Sequence, residues 1–403
     1  MHDQSDGAAG AMRAAHGAGA EPLADDQSKR LQQTVSGHGG GALRSGVARV
    51  ESLVPATGGA HENAGSLSGG GQRASGPGRA DGRPVGLGGG QLRDCGPDFS
   101  IEVAPNGYAW WYVDAISDDG AYALTIIAFI GSVFSPYYKW ARRSGAVDPL
   151  NHCAINIALY GRKHQRWAMT ERSKRFVHRD TARFEVGPSA MRWEDGALIV
   201  DIHELGAPIP RRVHGQVRVR PHSLFDEGFA LDDSGRHRWR PIAPVAHVEV
   251  EMNHPNLRWS GSGYFDHNTG DEPLEDAFIS WDWSRTHSGD CALIHYDALT
   301  KNGAPRELAL RFNDNGEIER LSAPPSAPLP KTLWGIDRNV RCELGDKPRI
   351  VKTLEDTPFY ARSMVQTTLG GQSLPAIHER LRLDRFCAPV VQGMLPFRMP
   401  RVS

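Results

Sequence analysis

The stretch Tyr108–Ile130 reads YAWWYVDAISDDGAYALTIIAFI, two apolar runs separated by a short polar turn. Aromatic and β-branched side chains suit a pleated, half-buried strand. Asp119-Gly120 between the runs supplies the positive-φ residues that a tight hairpin needs. The same grammar continues downstream in CAINIALYG, RWAMTERS, ARFEVGPSAMRWEDG with its Asp195-Gly196 turn, ALIVDIHE and VHGQVRVRP. Almost no segment sustains a 3.6-residue apolar period. The chain therefore reads as all-β, a barrel or a sandwich.

Working outward, residues 1–94 contain no Phe, Trp or Tyr yet hold 22 of the 45 glycines. A segment so poor in large apolar groups cannot offset its ordering entropy, so it reads as a disordered, low-complexity head. The aromatic residues begin at Phe99. A polar patch, DEGFALDDSGRHR at Asp226–Arg238, reads as a connection between two β domains, residues 95–230 and 231–403. The run Ala121–Phe134 reads as a buried strand pair, too short for the roughly 20 residues a membrane-spanning helix requires. With no apolar core in its first twenty residues, the chain shows no signal peptide.

Net charge is −1, which excludes the strongly basic footprint of a nucleic-acid binder. Five widely spaced cysteines without a C-x-x-C pair point to reduced thiols in the cytoplasm rather than a disulfide framework or a zinc ribbon. Near the C-terminus, Arg380, Arg382, Arg385, Arg398 and Arg401 alternate with Leu, Phe and Met. Such a segment can rest on an anionic membrane surface, or can close the fold with a solvated face.

The chemistry concentrates in Gly261–Arg285, GSGYFDHNTGDEPLEDAFISWDWSR. On a strand, Tyr264, Asp266 and Asn268 share one face while Phe265 and His267 share the other. Trp281 and Trp283 share a face with Asp282 opposite. If these two runs pair as neighbouring strands, one carboxylate sits among several rings. Three chemistries compete for these residues. His254, His267 and Asp266, with His237 and His247 nearby, could ligate a metal, but their spacing lacks the compact pattern of a zinc site. Asp266 with Glu272, Glu275 or Asp282 could form a glycosidase-like pair. Alternatively Asp266 is a lone acid in an aromatic pocket, where burial raises its pKa and ring faces stabilise a cation. The same residues also read as plain core, with the aspartate capping a turn.

The run HRWRPIAPVAHVEVEMNHPNLRWSGSGYFDHNTGDEPLEDAFISWDWSR, with the closing MLPFRMPR, resembles the carotenoid 1,2-hydratases (hydroxyneurosporene synthases) of purple phototrophic bacteria. The similarity runs from about Phe99 to the C-terminus. The resemblance implies two lipocalin-like β-barrel domains and hydration of the terminal C1=C2 bond of acyclic carotenoids such as neurosporene and lycopene. It implies Asp266 as proton donor, with Tyr264, Trp239 and His237 as its neighbours; Trp281, Trp283 and Phe265 are the rings expected to hold the polyene. No nicotinamide, flavin or metal cofactor is expected for a reaction without a redox step. The expected setting is the cytoplasmic side of the inner or intracytoplasmic membrane, which would act as substrate reservoir for a peripheral protein. The competing readings are a carotenoid- or lipid-binding protein without chemistry and, more distantly, a polysaccharide hydrolase.

Overall fold

The computed structural model describes residues 96–161, 164–303 and 305–403. The head expected over 1–94, like Cys95, lies outside the described residues. The described chain is an all-β, lipocalin-like fold built on two large antiparallel sheets, which hold twelve and seven strands. The four described cysteines are unpaired.

The strand Tyr108–Ser117 lies near the middle of the first sheet and explains its organisation. It pairs with Ala123–Ile130 on one side and with Leu257–Gly270 on the other. Both of its faces are buried. Ala109, Trp111, Val113 and Ala115 pack inside the curl of the first sheet against Ile126, Ile157, Val200 and Val248. Trp110 and Tyr112 face outward into a second core shared with the other sheet. Burial on both faces is why the strand reads as a continuous apolar run rather than a clean alternation. Turn chemistry agrees with the sequence reading: Gly120, Asp195 and Gly196 all have positive φ. Ala121–Phe134 forms one strand, not a pair, because Gly131 turns the chain at φ +64 against the carbonyl of Gly107.

The first sheet continues through a long hairpin of His237–His254 and Leu257–Gly270. The chain passes to the second sheet only between Gly270 and Phe278. The motif of Gly261–Arg285 therefore spans both sheets, its first half in Leu257–Gly270 and its second in Phe278–Ser288. Within the polar patch at 226–238, Phe229–Ala230 pairs with the start of His237–His254, and Asp232 accepts from the backbone N–H of His237 at 2.9 Å.

The second sheet is centred on Phe278–Ser288, Gln372–Arg382 and Tyr360–Leu369. A C-terminal strap of short helices, Leu383–Phe386 and Pro389–Met394, crosses one end of the space between the sheets. Its last strand, Arg401–Val402, pairs in parallel with Glu171–Arg172. The strap is fastened by an Arg401–Glu171 ion pair and by Arg398, which bonds Glu355 at 3.1 Å and lies over the Trp167 ring.

Candidate active site

Between the sheets lies an open cavity of about 220 Å³. The first sheet contributes Trp110, Tyr112, Asp266 and Asn268 to its wall, and the second sheet Trp281, Trp283, Tyr296 and Glu379. Leu395 and Met399 of the C-terminal strap close one end. Most of the remaining lining is apolar.

Strand alternation brings Tyr264, Asp266 and Asn268 to one face, as the sequence predicts. The register sets Asp266 directly across from Tyr112 on one side and Pro241 on the other. Ladder irregularities follow between Pro241 and Ala243 and between Ala243 and Ala246. They accommodate two prolines that cannot donate to the ladder, and bulges of this kind re-aim side chains beside them. Trp239 is thereby held with its indole N–H 2.9 Å from Asp266 Oδ2.

Asp266 is 4% exposed. Its Oδ2 also accepts from the Tyr264 hydroxyl at 2.7 Å, while Oδ1 receives only a long contact of 3.3 Å from Asn268 Nδ2. Burial dominates its electrostatics and lifts the carboxyl from 3.8 to about 7. The Tyr264 and Trp239 donors oppose that rise, and the negative charges of Glu379 and Asp114 add to it. The acid is thus protonated over a range in which ordinary carboxyls are ionised.

Rings surround it. Tyr264 meets Trp283 at 5.2 Å and Tyr112 at 6.0 Å between centroids, and Trp239 meets Tyr296 at 5.5 Å. The two sequence runs that carry these rings do not pair as neighbouring strands. They belong to opposing sheets, and the carboxylate is ringed because the sheets pack face to face. Trp281 and Trp283 lie on the cavity wall, while Asp282 points away to Arg380 and His378.

Two expected site residues stand elsewhere. Phe265 is fully buried on the opposite face, inside the first-sheet core, because it is odd in register with Asp266. His237 is also buried but off the cavity wall. Its Nδ1 shares a hydrogen bond of 2.8 Å with the Tyr108 hydroxyl, and Tyr108 stacks on cavity-lining Trp110 at 4.9 Å.

The residues considered for metal binding are dispersed. His267 stacks on Trp111 in the first-sheet core, and burial drives its pKa down to about 3. His254 sits at the exposed end of the hairpin. Among the described residues no group of three His, Cys, Asp or Glu is arranged to hold a metal ion. The carboxylates proposed as partners of Asp266 are also engaged elsewhere: Glu275 with Lys139 and Arg142, and Glu272 with Arg236 and His237.

A second carboxylate does reach the cavity, and sequence reasoning missed it: Glu379 on Gln372–Arg382. It belongs to a buried cross-sheet network. Tyr112 donates to Glu379 at 2.7 Å, Arg362 bridges Glu379 and Asp114, and Arg285 bonds Asp114 at 2.9 Å. The available signal was a charge on an otherwise apolar strand face, with Ile377 and Leu381 flanking Glu379 and Trp110 and Tyr112 preceding Asp114.

Fold and site define the class, an all-β, lipocalin-like protein with a protonatable acid on an aromatic cavity. The family model of the carotenoid hydratase CrtC matches residues 126–403. The acyclic carotenoid 1,2-hydratase of Thiocapsa roseopersicina is 53% identical over 375 residues, covering 93% of each chain. That of Rubrivivax gelatinosus is 50% identical over 374 residues, covering 92% of each chain. Among solved structures, an AttH-type protein from Nitrosomonas europaea aligns with 68% of this chain and 91% of its own, at 14% identity and a TM-score of 0.48. The chain belongs to the carotenoid hydratase family, and it is a hydro-lyase.

Proposed function

We propose that this chain adds water to the terminal C1=C2 bond of acyclic carotenoids, neurosporene and lycopene among them, without a cofactor. One observation carries the reading: a buried carboxyl, bonded by Tyr264 and Trp239 on one oxygen, faces an apolar cavity lined by Trp and Tyr rings; that burial pushes its pKa up to about 7. A trisubstituted alkene is a very weak base, so its protonation needs both a placed acid and a stabilised cation. Tyr264 and Trp239 both donate to Oδ2, which leaves Oδ1 to carry the acid proton toward the substrate. Transfer to C2 places the positive charge on tertiary C1. Ring faces within reach stabilise such a charge by about 2 kcal/mol or more once water is excluded. Water then adds at C1.

The cavity volume of about 220 Å³ is small beside the roughly 300–1,000 Å³ typical of complete ligand sites. It suits one end of an elongated polyene, with the rest passing out through the open side. We place that open side against a membrane. The arginines expected to bind lipid are engaged within the protein: Arg380 with Asp282, Arg382 with Asp384, Arg385 with the carbonyls of Trp334 and Gly335, Arg398 with Glu355 and Arg401 with Glu171. Large apolar side chains stand exposed in the same segments: Leu333, Trp334, Val390, Met394 and Phe397. Leu333 is tied to this end through its N–H, which bonds Asp356 beside the cavity-lining Thr357–Phe359 segment. Among the described residues no helix is long and apolar enough to cross a membrane.

Purified protein incubated with dispersed lycopene, with no cofactor added, is expected to yield a product heavier by one water. Tight lycopene binding with no such product would favour the carrier reading.

A further inference from the structure

We infer that Glu379 holds the attacking water and takes its proton, making it a second catalytic carboxylate opposite Asp266. The inference rests on the hydration reading above and assigns the half of the reaction that Asp266 does not begin.

Glu379 and Asp266 line one cavity from opposing sheets. The two oxygens of Glu379 are treated differently. Oε1 accepts from the Tyr112 hydroxyl at 2.7 Å and from Arg362. Oε2 takes no hydrogen bond among the described residues, and it is not among the sealed, partnerless polar atoms. It is therefore an unfilled acceptor that a small molecule can reach. A water in an apolar cavity needs two or more polar partners to stay; Glu379 Oε2 offers one, and the Asp266 carboxyl on the facing wall of the same cavity offers another.

The surroundings fit a proton acceptor. Arg362 is fully buried, pairs with Glu379 and Asp114 together, and shares Asp114 with Arg285. Two carboxylates facing two guanidiniums make the network neutral without a proton on Glu379. Tyr112, the cross-strand neighbour of Asp266, fixes Glu379 from the first sheet, so the acid and the proposed base are held to one strand pair. Tyr112 and Arg362 are positioning residues in this scheme.

The steps balance. Asp266 gives its proton to C2, leaving a carboxylate and a cation at C1. A water oxygen bonds to C1 through a lone pair, and one of its protons passes to Glu379 Oε2, leaving the tertiary alcohol. That proton then moves to the Asp266 carboxylate. One alkene and one water are consumed, and both carboxyls return to their starting states.

Partitioning of the cation tests the assignment. In heavy water, a cation that is not captured either gives its deuteron back and returns unlabelled or loses the original C2 proton and returns as labelled substrate. Glu379→Gln is expected to lower hydration by roughly a hundredfold or more while exchange at C2 persists, so the ratio of exchange to hydration rises. Tyr112→Phe, which removes one of the two donors on Glu379 Oε1 without changing charge, should raise the same ratio by a smaller factor, and it decides the matter alone if Glu379→Gln does not fold. Asp266→Asn should lose exchange and hydration together. A wild-type ratio in the folded variants overturns the role of Glu379. Absence of hydration by the wild-type protein would instead overturn the reading on which it rests.

Discussion

Asp266 receives two short hydrogen bonds on one oxygen and a single long one on the other, in a site that burial makes hostile to charge. The pH dependence follows from the sign of that shift. The residue is an acid donor only while protonated, so turnover should fall as pH rises through about 7. The Tyr264 hydroxyl bonds preferentially to the ionised carboxylate, and its loss would leave that form less favoured. Tyr264→Phe is therefore expected to move the falling limb of the pH–rate profile to higher pH while lowering the rate at its plateau. A limb that stayed in place or moved down would show that this hydroxyl does not tune the acid. Trp239 donates to the same oxygen, so the two contributions should be coupled rather than additive.

At the scale of elements, the hairpin of His237–His254 and Leu257–Gly270 carries both Asp266 and its indole donor, and its position depends on close strand approach. A Cβ on Gly261 would lie 2.0 Å from the Ile116 carbonyl oxygen, a backbone atom that cannot rotate away. Gly261→Ala is accordingly expected to destabilise the fold by about 1–3 kcal/mol, the usual scale of overpacking. Thermal unfolding reads this directly, and an unchanged Tm would mean that the strands tolerate separation there. Much of this element was legible in the sequence. Period-two alternation separates Tyr264, Asp266 and Asn268 from Phe265 and His267, and the turn residues locate the hairpins. Pairing partners were not legible, because alternation states which face a side chain takes and not which sheet covers it. Hence the Trp281–Trp283 strand faces the acid from the opposing sheet, and Phe265 lies in a different core. Glu379 escaped notice because it stands more than ninety residues beyond the aromatic motif and only sheet packing brings it to the cavity.

Across the whole molecule, the rim proposed to meet a membrane carries Leu333, which is 98% exposed, and Phe397, which is 76% exposed, while Arg382, Arg398 and Arg401 are engaged in internal pairs. Association with a bilayer through such a rim would be driven by apolar burial, not by counter-charge. Vesicle binding is expected to persist in about 0.5 M salt, where charges are screened beyond a few ångströms, and to weaken on Phe397→Asp. Binding abolished by salt would return the role to the arginines. The central claim, that Asp266 protonates the polyene at C2, is tested most directly by running the reaction in heavy water with the wild-type protein and Asp266→Asn side by side. The account predicts a wild-type hydration product with one deuterium at C2, and a variant that binds the polyene but turns over slower by roughly 10² or more. Hydration by the variant at the wild-type rate, with the label still entering at C2, would contradict it.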